Sequence, residues 1–323
     1  MDWAVAGYIG LFIVGLGLII KGGDFFVDAA AWIAEVSGIP KFIVGATVVS
    51  FATTLPELIV SVIAALEGQT EMAVGNAVGS VTANTGLILA LSVVFAPVAV
   101  NRKQFAPKAF IMLASAGLLF VLSLGGELKV LPAMLMFVLL ALFVAENLVA
   151  AKNEIKTSAD SGKEKIPKDK KTVAVNIVKF ILGIAGIVGG SQLLVTYGTK
   201  LAEAWGVPQA VISVTMVAIG TSLPELTTAI VALVKKQGNL SVGNILGANI
   251  IDLTLILPVC SFISGKALPI QEQTVSLDLP FCFGIIMIAV LPTVRFKKFR
   301  QIQGIAMLAA YATYLVLMFV YFI

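Results

Sequence analysis

Two glutamates, Glu57 and Glu225, lie 168 residues apart, and each directly follows a proline inside a long apolar stretch. If such a stretch spans a membrane, a carboxylate in its middle costs roughly 2.5–3.5 kcal/mol unless it faces the protein interior and finds a partner. No lysine or arginine lies at a comparable depth in the four stretches that carry the polar residues described below. We therefore expect a bound cation to be the partner of these carboxylates.

The two prolines, Pro56 and Pro224, add a second source of oxygen ligands. Because proline has no N–H group, the carbonyl oxygens of Ala52 and Gly220 lose their helical donor and must be satisfied by protein, water or an ion. Further carbonyl and hydroxyl oxygens lie within about one helical turn of the glutamates, on Thr53, Thr54, Thr221 and Ser222. Oxygen ligands of this kind are those that hard cations such as calcium prefer.

A second pair of polar segments repeats the pattern Gly-Asn-x-x-Gly, at 75–79 and 243–247. Close helix packing is a sufficient explanation for the glycines alone. The polar side chains share one helix face in each half; they are Asn76, Ser80 and Asn84 in the first half and Asn244 and Asp252 in the second. Since Asp252 stands where Asn84 stands in the first half, we expect a site that is asymmetric in charge.

The composition indicates an integral membrane protein, because 59% of the residues are hydrophobic, 12% are charged and the mean hydropathy is +1.02. A soluble domain carries about 25% charged residues, whereas roughly 20 apolar residues in a helix are enough to cross a bilayer. We predict an all-α membrane protein with ten transmembrane helices, at 4–33, 39–66, 72–97, 106–124, 129–150, 173–203, 207–234, 240–264, 275–292 and 303–322.

The residue types also limit which metal could bind. Histidine is absent, and the two cysteines, Cys260 and Cys282, show no metal-ligand spacing. These observations argue against zinc or copper and leave sodium, potassium, calcium or magnesium. The net charge of +4 comes mainly from short connections between apolar spans, so it does not indicate nucleic-acid binding.

The chain contains an internal repeat. Shifting the sequence by 168 residues aligns the halves without a gap from about Gly15 to Leu89, with the densest match between 52–66 and 220–234. Because each half has five predicted spans, an odd number, the halves must cross the membrane in opposite orientations, as in many secondary transporters. We predict a first inverted repeat at 1–150, a cytoplasmic linker at 151–172 and a second inverted repeat at 173–323.

Positive charges set the expected orientation, because cytoplasmic loops carry an excess of lysine and arginine. Alternate connections are basic, and the longest holds seven lysines between Lys152 and Lys171. We therefore predict a multi-pass protein of the cell membrane with both termini outside the cell.

The repeated motifs, ATTLPE with GNAVGSVTAN and GTSLPE with GNILGANIID, resemble those of the sodium/calcium exchanger branch of the calcium/cation antiporter superfamily, most closely its compact prokaryotic members. The resemblance covers nearly the whole chain. It implies an antiporter that exchanges calcium for sodium by alternating access at a midplane carboxylate site, while the first and sixth spans slide across the remaining helices. It also implies calcium ions, sodium ions and lipid as partners, with no cofactor, enzymatic activity, nucleic acid or required protein partner.

The resemblance further implies a ligand set between spans two, three, seven and eight. Glu57 and Glu225 would bind calcium directly and share sodium in the alternate state. The other implied ligands are the carbonyls of Thr53, Thr221, Ser50 and Ala218, the hydroxyls of Thr54, Ser222 and Ser80, and the flanking groups Asn84 and Asp252. Three residues depart from the family pattern: Ala248 replaces a common serine, Ala52 a glycine and Thr54 a serine.

Other functions remain open at this point. A potassium- or proton-coupled exchanger on the same scaffold is the nearest alternative. Potassium coupling stays open because a single Asn/Asp choice near Asp252 can reshape a cation site, whereas a proton-coupled relative would more often carry a Gly-Asn-x-x-Glu-like motif, which is not found here. A cation channel fits an inverted repeat with midplane glutamates less well than alternating access does. An intramembrane aspartyl protease would need paired aspartates, whereas the deep pair here is glutamate.

Overall fold

A computed structural model describes residues 3–160, 169–205 and 209–322, with side chains described except at 157–160, 209–221 and 322. Ten long helical segments run through it. They are α1 (Trp3–Ser37), α2 (Lys41–Leu66), α3 (Thr70–Phe95), α4 (Arg102–Ser123), α5 (Val130–Asp160), α6 (Lys170–Ala204), α7 (Gln209–Val234), α8 (Gly238–Ser264), α9 (Thr274–Phe296) and α10 (Gln301–Phe322). Within the described residues, all except α7 are long and apolar enough to cross a membrane, and α7 contributes the apolar stretch Ser222–Val234. The prediction of an all-α membrane fold is confirmed.

Two helices extend into the predicted linker at 151–172. Helix α5 continues to Asp160 and α6 begins at Lys170, capped by the Asp169 side chain, which accepts a hydrogen bond from Thr172 N. Residues 151–160 contain no glycine or proline, so nothing in their sequence ends the helix. The Gln104 side chain of α4 donates to Glu154 at 2.8 Å and ties the extension to the bundle. The rest of the predicted linker, 161–168, lies outside the described residues.

Four wide π-helical turns interrupt the membrane helices. They are Gly45–Val49 in α2, Asn84–Leu89 in α3, Asp252–Ile256 in α8 and Thr274–Asp278 in α9. The turns of α3 and α8 begin at equivalent positions of the repeat, Asn84 and Asp252. A π turn inserts a residue into the helix and is frequent at functional sites. The two halves therefore widen where their polar residues lie.

The loops pair in the same way at both ends of the bundle. At one end of α4, β1 (Glu127–Leu128) pairs antiparallel with β2 (Leu268–Pro269), with Leu128 opposite Leu268. At the other end of α4, the backbone N–H of Val100 donates to Lys297 O at 2.9 Å. In each case a loop beside the third helix of one half meets the loop between the fourth and fifth helices of the other. This arrangement is that of an inverted repeat.

Glycines bring α2 and α8 into backbone contact. A Cβ atom on Gly243 would collide with Phe42 O, and one on Gly45 would collide with Leu240 O. Gly75 and Gly79, the first-half equivalents of the α8 glycines, have nothing within 4 Å of a built Cβ. Close packing therefore explains the glycine motif in the second half only.

Helices α1 and α6 form a second close pair. A Cβ on Gly22 would lie 2.7 Å from Ile187 N, and one on Gly183 would lie 2.7 Å from Phe26 N. In the most apolar part of each helix, 11% of the residues of α1 and 17% of those of α6 are buried, compared with 83% for α8. The α1/α6 pair thus lies at the periphery, and α8 lies at the centre of the core.

We predict that Gly243→Ala destabilises the protein whereas Gly75→Ala, at the equivalent position of the first half, does not. The added methyl at 243 meets the backbone of α2, which cannot move aside as a side chain can, so the expected cost is about 1–3 kcal/mol. At 75 the methyl enters open space and alanine favours the helix by roughly 1 kcal/mol. Thermal unfolding in detergent measures the difference, and equal melting temperatures for the two variants would contradict the assigned contact.

Candidate cation site

Helix α2 carries the first glutamate in a fully buried environment. Glu57 is 1% exposed, and neither of its carboxylate oxygens accepts a hydrogen bond from the described residues. One turn earlier, Thr53 and Thr54 are 3% and 1% exposed, and Ser50 is fully buried. Helix α2 continues through Pro56, so all four polar residues stand on one helix.

Helix α7 presents the equivalent residues from the other half. Glu225 is 1% exposed, and both of its oxygens also lack a hydrogen-bond donor among the described residues. The hydroxyl of Ser222, which is 5% exposed, is buried without a described partner as well. Ala218 and Thr221 belong to α7, but their side chains lie outside the described residues.

The third and eighth helices add amides and a third carboxylate. Asn84 and Asp252 are each 1% exposed, and Ser80 is 4% exposed. Both polar atoms of the Asn84 side chain and Oδ1 of Asp252 are buried without a partner among the described residues. Asn84 and Asp252 are the first residues of the two π turns. Two side chains with unpaired polar atoms therefore lie at equivalent positions of the repeat.

The three carboxylates of Glu57, Glu225 and Asp252 lie close enough to interact electrostatically. Among the described residues, no basic side chain acts on them. When ionised, they repel one another in a region that water does not solvate, which is costly. The arrangement is therefore unfavourable without a cation or protons.

The set of atoms fits a hard cation better than a soft metal. Among the described residues, no three or more histidine, cysteine or acidic side chains are arranged to hold a metal ion by themselves. A cation between Glu57 and Glu225 would therefore take its remaining ligands from neutral oxygens, which Asn84, Ser222 and Thr54 can offer. Carboxylates combined with amide, hydroxyl and carbonyl oxygens form the donor set typical of calcium.

Two of the oxygens predicted as ligands already take part in hydrogen bonds. The Ser50 carbonyl accepts from the Thr54 hydroxyl at 2.7 Å, and the Thr53 hydroxyl, 3.3 Å away, divides its single hydrogen between this carbonyl and Asn244 Oδ1. A hydroxyl that donates keeps its lone pairs, so Thr54 remains able to bind a cation. The Ser50 carbonyl would have to share its lone pairs with these donors, which weakens it as a ligand.

A cross-repeat hydrogen bond fixes the geometry between the halves. Asn244 of α8 is fully buried, and its Oδ1 lies 3.2 Å from the Thr53 hydroxyl of α2. Asn249, also of α8, donates to the Thr85 hydroxyl of α3 at 2.8 Å. The sequence placed Asn244 on the polar face but gave no indication of the Thr53 contact, and it gave no reason to select Asn249 or Thr85.

Outside this cluster, polar contacts join the fourth and fifth helices of each half. Lys108 of α4 pairs with Glu146 of α5, and Asp278 of α9 accepts hydrogen bonds from Tyr314 of α10 at 3.2 Å and Thr274 at 3.1 Å. Glu146 and Tyr314 occupy equivalent positions of the repeat. These contacts were not predicted from the sequence. The lysine and the aspartate inside apolar spans, Lys108 and Asp278, could have indicated that each has a buried polar partner.

A narrow crevice leads from the α1/α6 pair toward the cation site. Phe26, Ile184, Ile187 and Val188 line one side of it, and Ala52, Thr53 and Pro224 line the other. The lining is apolar except at Thr53. The site is thus separated from the membrane periphery by a thin layer of hydrophobic side chains from the α1/α6 pair.

The sequence was compared with known families. The family described as "Sodium/calcium exchanger protein" matches residues 7–149 and 175–320. An uncharacterized membrane protein of Methanocaldococcus jannaschii is 30% identical over 303 residues, covering 94% of this chain and 95% of the relative. The sodium/calcium exchanger MaX1 of Methanosarcina acetivorans is 27% identical over 345 residues, covering 96% and 97%.

Solved structures show the same architecture. The sodium-calcium exchanger NCX_Mj, soaked with 10 mM Na⁺ and 10 mM Sr²⁺, superposes with a TM-score of 0.83 at 28% identity, and the match covers 97% of this chain and 98% of that chain. The form soaked with zero Na⁺ and Ca²⁺ gives a TM-score of 0.82 at 28% identity, covering 97% and 99%. The chain thus has the fold of these exchangers along nearly its whole length.

Calcium should stabilise the wild-type protein, because it neutralises repelling carboxylates that are buried only in the folded state. At about 100 times the dissociation constant the expected gain is about 2.7 kcal/mol. Glu57→Gln should melt at a higher temperature than wild type in cation-free buffer and should lose the calcium-dependent shift. Glu67→Gln, which changes the exposed residue directly after the same helix, serves as the control and should keep this shift. A Glu57→Gln protein with the full calcium shift would contradict the assigned site.

Proposed function

Because the chain belongs to the sodium/calcium exchanger family, we propose that it is a secondary antiporter that exchanges calcium for sodium by alternating access. It is a multi-pass membrane protein and a transporter rather than an enzyme. The observation that carries the proposal is the pair of equivalent glutamates, Glu57 and Glu225. Both are buried close enough to repel each other, and among the described residues no group donates a hydrogen bond to them and no basic side chain neutralises them. A pair of carboxylates in this environment suits a divalent cation.

Competition for the same carboxylates explains the exchange. One calcium ion can bind between Glu57 and Glu225 and cancel their charge, and several sodium ions can do the same by occupying the neighbouring oxygens. Either load leaves the site nearly neutral, so the loaded protein can reorient within the bilayer. The unloaded protein keeps two or more repelling charges beside the apolar crevice. Burying these charges in a state that is closed to both membrane faces is costly. Reorientation is therefore coupled to loading.

The ligands proposed around these glutamates come from both halves. Asn84 and Asp252 flank the central position. The hydroxyls of Thr54, Ser222 and Ser80 supply neutral oxygens. Backbone carbonyls complete the shell, and the ones we propose are those of Thr53, Thr221, Ser50 and Ala218. The side-chain polar atoms of Asn84, the hydroxyl of Ser222 and Oδ1 of Asp252 are buried without a partner among the described residues, which supports this set. Ala248 stands where Ser80 stands in the first half, so we propose that the sodium sites are not symmetric.

The two halves supply the two access states. In an inverted repeat, the two halves can exchange conformations. This exchange opens the site alternately to each face of the membrane. The peripheral α1/α6 pair, joined by glycine contacts, is the unit proposed to move against the remaining helices. From the distribution of lysine and arginine, we propose that both termini lie outside the cell.

Sodium-driven calcium flux tests the proposal. In proteoliposomes, an imposed sodium gradient should drive uptake of radiolabelled calcium, whereas a potassium or proton gradient should not. Glu57→Gln and Glu225→Gln should each abolish uptake, because a neutral amide at either position leaves half of the divalent charge uncompensated. Asp252→Asn should reduce the rate less, since the equivalent position of the first half is already an asparagine.

The control is Glu67→Gln, which removes an exposed carboxylate at the end of the same helix and should transport normally. Flux that persists without any counter-ion would identify a channel. Uptake driven by potassium or protons with no response to sodium would contradict the proposed coupling.

A further inference from the structure

A lysine outside the cation site holds α1 against the core. Lys235 directly follows α7 and lies 2.6 Å from Asp28 Oδ1 and 3.4 Å from Asp24 Oδ1. It also donates to the carbonyl oxygen of Asp24 at 3.1 Å. Lys235 therefore binds a single turn of α1 through two carboxylates and a backbone oxygen.

The turn of α1 that Lys235 binds also lies beside the crevice that Thr53 and Pro224 line. On this turn, a Cβ at Gly23 would lie 2.9 Å from a methyl group of Val231 in α7. Phe26, on the same turn, is fully buried and lines the crevice together with Thr53 and Pro224. A contact that fixes the position of this turn therefore fixes the position of Phe26 beside the site.

The glycine contacts make α1 and α6 move together. Phe26 N meets Gly183 of α6, and Gly15, Gly22 and Gly190 repeat such contacts along the two helices. Backbones packed this closely cannot slide apart without a large rearrangement of both helices. A restraint on α1 from Lys235 is therefore a restraint on the whole α1/α6 pair.

The equivalent positions of the other half do not carry this ion pair. In the repeat, Glu67 is equivalent to Lys235, while Gln192 and Thr196 are equivalent to Asp24 and Asp28. Neutral glutamine and threonine cannot form an ion pair with Glu67. Two identical halves would give the two access states equal free energies, so an ion pair that only one half can form contributes to the difference between them.

We propose that Lys235 is a positioning residue for exchange. Its ion pairs with Asp24 and Asp28 stabilise the state in which the Lys235 end of the α1/α6 pair is closed, and they break when that end opens. This inference rests on the proposed function. The side chains of Lys235, Asp24 and Asp28 are 24%, 37% and 49% exposed, and partly exposed ion pairs are weak, as a contact that breaks in every cycle must be. Lys21, 3.9 Å from Asp24, remains beside Asp24 when Lys235 leaves.

The test compares calcium affinity at the two membrane faces. Because apparent affinity scales with the fraction of protein open to a face, the ratio of the KM values for calcium at the two faces reports the balance of the access states. Lys235→Met should shift this ratio by about two- to five-fold, the strength expected for exposed ion pairs, toward tighter binding at the Lys235 face. Lys235→Arg should restore the wild-type ratio.

Lys236→Met is the matched control, since Lys236 is the next residue, exposed and of equal charge, and its ratio should equal that of wild type. A Lys235→Met protein with an unchanged ratio, whether or not its maximal rate falls, overturns the proposal, and so does an arginine variant that fails to restore the ratio. If Lys235→Met does not fold, Asp28→Asn should shift the ratio in the same direction.

Hydrogen exchange separates this inference from the proposed function. In ion-free detergent solution, amides in the part of α1 from 23 to 37 should exchange faster in Lys235→Met than in Lys236→Met. Wild-type protein without sodium-driven calcium uptake would contradict the proposed function alone. Equal exchange rates in the two variants would overturn the role of Lys235 even in a protein that transports.

Discussion

The structure depends on the burial of two carboxylates of like charge, which no basic side chain among the described residues neutralises. Glu57 and Glu225 lie 1% exposed each, with Asp252 close enough to interact with them, and among the described residues no basic side chain acts on them. Carboxylates in this position raise the free energy of the folded chain. The energy is recovered when cations bind, so cation binding and the conformation of the bundle become linked. A protein of this kind is least stable when its site is unfilled, and that instability couples loading to movement.

The remaining architecture holds this site in place while leaving one part free to move. Glycines in α8 bring its backbone against α2, and the Thr53–Asn244 hydrogen bond joins the same two helices beside the glutamates. These contacts make a rigid centre. The α1/α6 pair has its own glycine contacts but little burial in its most apolar parts, and it is the unit that we propose shifts along the apolar crevice. The ion pairs of Lys235 act on this unit and not on the site itself.

Much of this could be predicted from the sequence, because hydropathy and a 168-residue repeat are visible in one chain. The ten helices, the inverted arrangement and the polar residues of α2, α3, α7 and α8 follow from them. The π turns at Asn84 and Asp252 could not be predicted, since no residue pattern fixes where a helix widens. The contacts of Lys235 with Asp28 and of Asp278 with Tyr314 join residues distant in sequence, and only the folded chain brings them together. The Ser50 carbonyl stays a predicted ligand, but the sequence does not show that local hydroxyls compete for it.

The central claim is that one divalent cation binds between Glu57 and Glu225. A crystal of the protein soaked in strontium, which substitutes for calcium and scatters anomalously, tests it most directly. The account predicts an anomalous peak within about 2.3–2.7 Å of a carboxylate oxygen from each glutamate, allowing for the slightly larger strontium ion, and loss of the peak in a Glu57→Gln crystal. A peak bound by only one of the two glutamates, or located away from both, would contradict the account.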